Sequence, residues 1–423
     1  MILMDSAATN STDTLNTISA LLQRRRYAPA QAMAEAAWPI LETPSLQAEL
    51  ANLMAGSLWQ GGFWEQAAPW LDAMMALGVN IEWASSKKRR AQWPVHLEPE
   101  VFDPIAGKTL MRYAPRESAD FNYVIDIVGT CNLRCPSCPV ANSPTNLGAV
   151  RKGTMPIELF ETILEKIARE SPSQRPTISL FNWGEPLLHP QLSQIIRLVR
   201  DRDWSCVVST NLNHVPGVEQ LISAPPNTLK ISLSGFTPES YESCHEGGDL
   251  DRLKTNMHRL AQGLTDNDSC DVIVGHHLYK HTQDSQPAVA ALCEELGFSY
   301  APIQAFWQPL ERVLERVEGN TDAHPLFDQL KVDPADNAAF VRKHRTPNTD
   351  CELRFNQTNI NVDGSVALCC GVYEDANMLG VQFLDTPHEQ LQQRKYQHEF
   401  CSRCRKAGLD YSVIDLPESS EAP

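Results

Sequence analysis

The sequence predicts an α/β protein built on a parallel sheet, with a helical segment ahead of it and a cysteine-rich segment behind it. Three observations carry this. From residue 121 onward, short β-rich runs alternate with amphipathic helical runs about six times, and strand, helix, strand in repetition makes a parallel sheet. Residues 15–78 bear alanine and large apolar side chains at helical spacing. From residue 351, five cysteines gather around Asp363-Gly364, a hairpin signal between two short strands. A chain of 423 residues is also too long for one ordinary core, so two or three domains are expected.

Taken in order, residues 27–41, 45–62 and 63–78 read as helices, with Gly61-Gly62 and Gly78 as their ends. Tyr27 and Phe63 open similar segments about 36 residues apart, a spacing that weakly resembles tetratricopeptide-type hairpins; a plain helical cap fits the same residues. Residues 81–117 are Pro-rich and charged and read as a linker. Strands are expected at 123–128, 177–183, 206–210, 228–235, 271–279 and 298–303. Helices are expected at 156–170, 190–202, 217–224, 249–263 and 287–297. Residues 306–350, irregular and rich in Pro, Asp and His, read as a connector, and 411–423 as a tail. A parallel sheet places its site at the C-terminal ends of its strands.

Bulk properties narrow the function. The net charge of −16 argues against a nucleic-acid or membrane-surface role. The one basic run, Lys87-Lys88-Arg89-Arg90, is short and reads as a solvated linker. No apolar run approaches the roughly 20 residues that span a bilayer, and the N-terminus lacks the pattern of a signal peptide, so a cytoplasmic protein is expected. Twelve cysteines there point to metal or catalytic use rather than disulfides.

Cys131, Cys135 and Cys138 follow the first strand in the spacing C-x3-C-x2-C. Three thiolates suit a soft metal. A structural zinc site is usually closed by four ligands, whereas three leave one corner of an iron–sulfur cluster open. This loop, after the first strand of a parallel α/β domain, resembles the radical S-adenosylmethionine (radical SAM) superfamily. Trp183-Gly184-Glu185-Pro186 at the end of the second strand is similar to the family's Gly-Gly-Glu-Pro motif, which holds the methionine ammonium. Ser209 and Asn211 match positions that bind the ribose and methionine, and Ser232 matches one near the methionine carboxylate. His245 stands where some relatives have an arginine, and Ser137 where many have an aromatic. The resemblance spans roughly residues 118–305. It implies a partial (β/α)6 barrel, a [4Fe-4S] cluster on Cys131, Cys135 and Cys138, and S-adenosyl-L-methionine (SAM) bound through Gly184, Glu185, Ser209, Asn211, Ser232 and His245. It also implies reductive cleavage of SAM to a 5′-deoxyadenosyl radical and hydrogen abstraction from a substrate C–H bond.

The second cysteine group, C-x12-G-x4-C followed by C-x2-C, resembles the SPASM extension of radical SAM enzymes. No cysteine follows Cys404, so it is similar to the shorter twitch version. That resemblance implies one auxiliary [4Fe-4S] cluster on Cys351, Cys369, Cys401 and Cys404 within a 351–410 domain; a zinc ribbon would use the same thiols, and Cys370 could stand in for Cys369. On the substrate side, His276, His277 and Tyr279 are candidate catalytic residues. Strand alternation aims His276 and Leu278 one way, His277 and Tyr279 the other. Asp126 and Tyr123 on the first strand could also face the site. The expected reaction is oxidation of a small polar molecule such as a sugar or aminocyclitol, with a low-potential reductant such as flavodoxin or ferredoxin as partner. Two alternatives stay open. One is maturation of a ribosomal peptide by epimerisation or cross-linking, for which the N-terminal helices would dock a leader. The other is a non-enzymatic iron–sulfur carrier or zinc scaffold, against which Glu185, Ser209 and Asn211 argue.

Overall fold

The computed structural model describes residues 3–23, 27–41, 43–60, 64–81, 83–84, 101–103, 108–110, 121–142, 152–264, 270–319, 325–344 and 351–410. They fall into two compact units, one within residues 1–95 and the other within 96–412. The expected 81–117 linker and 411–423 tail lie almost wholly outside the described residues. Within 81–117, Val101–Asp103 and Lys108–Leu110 form a small antiparallel ribbon.

The first unit is all helical: α1 (Leu3–Gln23), α2 (Tyr27–Ala37), α3 (Pro44–Gln60) and α4 (Trp64–Ala76). Alanines 30, 34 and 37 give α2 a small-residue face that is fully buried or nearly so, and it closes on Ile18, Leu50, Met54, Leu58, Leu71 and Met74. The unit therefore has a core of its own. Burial of each such aliphatic side chain is worth roughly 1.5–3 kcal/mol.

The second unit is built on one nine-stranded sheet. Its strands are β1 (Asn122–Ile125), β2 (Thr177–Ser179), β3 (Ser205–Thr210), β4 (Thr228–Leu233), β5 (Asp271–Leu278), β6 (Ser299–Gln304), β7 (Gln357–Ile360), β8 (Ser365–Ala367) and β9 (Met378–Gln382), in the order β9-β8-β7-β1-β2-β3-β4-β5-β6. β1 to β6 are parallel neighbours. Helices α5 (Ile157–Glu170), α6 (Leu192–Arg200), α7 (Val215–Ser223), α8 (Leu250–Gly263) and α9 (Gln286–Leu296) connect them, which is the partial (β/α)6 barrel. Each helix buries one apolar stripe, as with Phe160, Ile163, Leu164 and Ile167 of α5.

Two features go beyond the sequence reading. The 306–350 segment holds two helices, α10 (Leu310–Val317) and α11 (Pro334–His344). The C-terminal hairpin forms at Asp363-Gly364, with Gly364 at φ 81°, but it does not stand apart from the barrel. β7 pairs in parallel with β1, Asn122 opposite Gln357 through Ile125 opposite Ile360, so the hairpin widens the barrel's own sheet. The chain then runs through α12 (His388–Gln397) and α13 (Glu399–Ala407). Among the described residues, no helix is long and apolar enough to cross a membrane.

Candidate active site

The C-terminal ends of β1 to β5 open onto one cavity of about 220 Å³. Cys131 lies six residues beyond the end of β1, and a tight turn in which the Cys138 N–H donates to the Cys135 carbonyl at 2.9 Å brings the other two thiols round. All three half-buried cysteines line the cavity. Burial pushes the Cys131 thiol up to about 11, with the Glu185 carboxylate adding to it, and the Cys138 thiol up to about 12. Cys135 is raised too, first by burial and then by its two neighbouring thiols. No lysine or arginine is among the described residues lining the cavity. Thiols so placed become thiolates only when a metal centre supplies the positive charge.

The loop after β2 is locked to the cysteine loop by its backbone. The Glu185 N–H donates to the Thr130 carbonyl at 2.8 Å, and the Asp126 carboxylate accepts from the Trp183 and Gly184 N–H groups at 3.3 Å each. Gly184 is required by closeness: a Cβ there would lie 1.6 Å from the Val128 carbonyl oxygen. Glu185 is 3 % exposed and its carboxylate is held on three sides. It accepts from Thr210 Oγ1 at 2.7 Å, the Asn211 N–H at 2.9 Å and the Leu187 N–H at 3.0 Å. Burial raises its pKa, and these three donors lower it. Asn211 Nδ2 also reaches Cys131 Sγ at 3.6 Å, so β3 ties the carboxylate to the first thiol. The turn that follows holds Leu212 at φ 54°, a left-handed conformation that non-glycine residues seldom adopt.

Of the predicted residues, Gly184, Glu185, Ser209, Asn211, Ser232, His245, His277 and Tyr279 line the same cavity as the three cysteines. His245 stacks on Tyr241, sets Nδ1 3.6 Å from Cys135 Sγ, and keeps Nε2 buried without a partner. Burial, then the neighbouring His277, lowers its pKa to about 3, so at neutral pH it carries no charge for a carboxylate. Tyr279 donates to Ser137 Oγ at 3.1 Å, bringing an aromatic ring from β5 to the position where the cysteine loop has only a serine. His276 is not brought to the cavity. It is fully buried on the opposite side of β5, with Nδ1 3.0 Å from the Tyr300 hydroxyl and Nε2 3.4 Å from Ser285 Oγ. Tyr123 is a core residue packed on Phe121. Thr210 and Asp126 are parts of the site that the sequence did not single out in these roles, since a hydroxyl or carboxylate gripping a neighbouring loop leaves no periodic signal. Cys244, a buried member of the apolar core, also borders the cavity, its Sγ 3.5 Å from His281 Nε2.

The C-terminal thiols form a second group. Cys351 precedes the short helical turn Glu352–Phe355, Cys369 and Cys370 follow β8, and Cys401 and Cys404 lie one turn apart on α13. Burial pushes the Cys369 thiol well up, and Cys370, Cys404 and Cys351 push the same way. Cys404 is likewise raised by burial, then by Cys351 and Cys401. Five thiols thus act on one another across three elements. Among the described residues, no three His, Cys, Asp or Glu side chains converge at single-ion distances. Both donor sets are partly or fully buried thiols, the donor chemistry that iron–sulfur clusters use.

Residues 125–281 match the family model described as the radical SAM superfamily. Over 231 residues the chain is 22% identical to the GTP 3′,8-cyclase of Chlorobaculum tepidum, covering 51% of this chain and 66% of that enzyme. Over 122 residues it is 30% identical to the 7,8-dihydro-6-hydroxymethylpterin dimethyltransferase of Methanocaldococcus jannaschii, covering 28% of this chain and 23% of that one. The alignments thus span just under two thirds of the first relative and about a quarter of the second. Among solved structures, Streptococcus suis SuiB bound to S-adenosylmethionine aligns at 13% identity and a TM-score of 0.43, over 83% of this chain and 81% of SuiB. The family match runs from the end of β1 through β5 and takes in all three clustered cysteines.

Proposed function

We propose that the protein is a radical SAM oxidoreductase that takes hydrogen from a C–H bond of a small polar substrate and removes a second electron through an auxiliary centre. The observation that supports this best is a single cavity lined at once by three thiols, a buried carboxylate and the hydroxyl and amide groups of β3 and β4. When bound, a [4Fe-4S] cluster supplies the electron that splits SAM into methionine and a 5′-deoxyadenosyl radical. In this reading, Cys131, Cys135 and Cys138 hold that cluster. Glu185, fixed by Thr210 and Asn211, takes the methionine ammonium beside the Gly184 backbone. Ser209 and Asn211 take the ribose and methionine, and Ser232 with His245 borders the carboxylate end. His277 and Tyr279 face the substrate; His276 has no part. Cys351, Cys369, Cys401 and Cys404 hold the auxiliary cluster as an electron sink, and a flavodoxin or ferredoxin supplies the low-potential electron.

The test is anaerobic reconstitution followed by iron and sulfide counts and a 5′-deoxyadenosine assay with dithionite and SAM. The expected result is about eight irons, deoxyadenosine formation, and its loss by more than a hundredfold in Cys135→Ala. Glu185→Gln is expected to weaken SAM binding at least tenfold while leaving iron content unchanged. Fully loaded protein that never cleaves SAM would sink the catalytic reading. Zinc in place of four of the irons would sink the electron-sink role alone.

A further inference from the structure

Lys395 is an unusual residue for its surroundings. It lies on α12 and is 0 % exposed. Its ammonium donates to the Gln357 carbonyl at the start of β7 and to the Arg354 carbonyl at 3.4 Å. Among the described residues, no carboxylate pairs with it. A buried ammonium satisfied only by carbonyls is costly unless a negative centre stands close by. Here the negative candidates are the thiols. Arg354 belongs to the helical turn whose N–H donates to the Cys351 carbonyl at 2.9 Å, and α12 runs directly into α13, which carries Cys401 and Cys404. Burial lowers the Lys395 pKa to about 8, and Cys369, Cys401, Cys351 and Cys370 oppose that shift, each favouring the charged ammonium.

We infer that Lys395 is the built-in counter-charge of the C-terminal cysteine centre and raises the reduction potential of the iron–sulfur cluster held there. This rests on the reading of that centre as an auxiliary cluster. Cluster potentials are set by net charge, hydrogen bonds and exposure, and outer groups tune a centre without ligating it. A fixed positive charge stabilises the reduced, more negative cluster. A centre tuned upward is better suited to take an electron from a substrate-derived radical.

The test uses full-length protein carrying Cys131→Ala, Cys135→Ala and Cys138→Ala, so that any cluster present is the C-terminal one. Iron is counted after anaerobic reconstitution, and the reduction potential is read by EPR-monitored titration. Lys395→Met and Lys395→Gln remove the charge; the Gln variant keeps a donor for the Gln357 carbonyl, so one of the pair serves if the other unfolds. Both are expected to lower the equilibrium constant for reduction at least tenfold, which is about 59 mV for one electron. Lys395→Arg is expected to restore the wild-type value. An unchanged potential in a folded, cluster-loaded, charge-removed variant would overturn the role of Lys395 and leave the auxiliary cluster standing. An equal fall in Lys395→Arg would also overturn it, since packing rather than charge would then be responsible. A cysteine-to-alanine background that binds zinc or no iron would overturn the cluster reading and this inference with it.

Discussion

At the scale of the residue, β5 shows how one strand divides its side chains between structure and site. His277 and Tyr279 face the cavity, and His276 faces away, between Tyr300 and Ser285. The alternation was legible in the sequence, but which face held the site was not, because that depends on how the sheet curls around its neighbours. His276 makes a stability prediction. Burial, then the charge of His277, lowers its pKa from the ordinary 6.5 to about 4. Between those values the unfolded chain binds a proton that the folded one refuses, so stability rises with pH across the window and falls on acidification. For this one residue the loss at pH 5 relative to pH 8 is on the order of 2 kcal/mol. His276→Gln should therefore destabilise the protein at pH 8, where it loses the Tyr300 hydrogen bond, yet show a shallower drop from pH 8 to pH 5. Urea midpoints of the metal-free protein at the two pH values measure this, and parallel pH profiles for variant and wild type would count against it.

At the scale of the element, the site depends on two loops lying almost in contact. Gly184 lets the β2 loop press on Val128 and Thr130, which lead directly into Cys131. A methyl group there meets backbone and cannot be relieved by rotating a side chain. Gly184→Ala is expected to cost about 1–3 kcal/mol and to lower iron loading, because Glu185 and Cys131 move apart together. Gly56→Ala on α3 makes the opposite prediction: no atom lies within 4 Å of the added carbon, so the helix should gain roughly 0.5–1 kcal/mol. Thermal melts and iron counts separate the two. All six parallel strands and their connecting helices stand where apolar patterning put them. α10 was missed although Leu310, Val313, Leu314 and Val317 recur at helical spacing, because the surrounding Pro, Asp and His residues drew the segment towards loop. Its most telling residue has no apolar signal. Glu311 is buried, and its carboxylate accepts from the Tyr373 and Glu374 N–H groups and from Asn377 Nδ2, so it holds the turn just beyond Cys369 and Cys370. β7 was legible as half of a hairpin, but its long-range partner was not. Gln357, Thr358 and Asn359 are buried polar residues; Asn359 Nδ2 donates to Gln357 Oε1 at 3.0 Å, and α12 brings Gln392 to Thr358 Oγ1 at 2.9 Å and Lys395 to the Gln357 carbonyl.

At the scale of the whole molecule, the cysteine-rich C-terminal segment and the partial barrel share one sheet and one compact unit. Four consecutive residue pairs join β7 to β1. The contacts continue beyond the sheet: Phe121 meets the His388 ring at 5.1 Å, Tyr123 meets Phe383 at 6.1 Å, and the Glu170 carboxylate accepts from the His388 N–H at 3.0 Å. Phe121 and Tyr123 are fully buried or nearly so, and both adjoin or lie on the strand that presents Cys131. Removing residues 351–423 would therefore expose an inner strand's edge together with two aromatic rings, a combination that favours aggregation over folding. The helical unit within residues 1–95 has a separate apolar core. Calorimetry of the metal-free chain should show two unfolding transitions, one for the helical unit and one for barrel and C-terminal segment together. A chain ending at residue 350 should keep the first transition and lose the second. A third transition in the full chain, or an unshifted barrel transition in the shortened one, would mean that the segment folds by itself. The C-terminal cysteines would then be an appended module, and changes there would leave the first cysteine loop untouched. Under the two-transition outcome, loading the C-terminal centre should stabilise the β1 strand that leads to Cys131, which couples the two cysteine groups through the sheet itself.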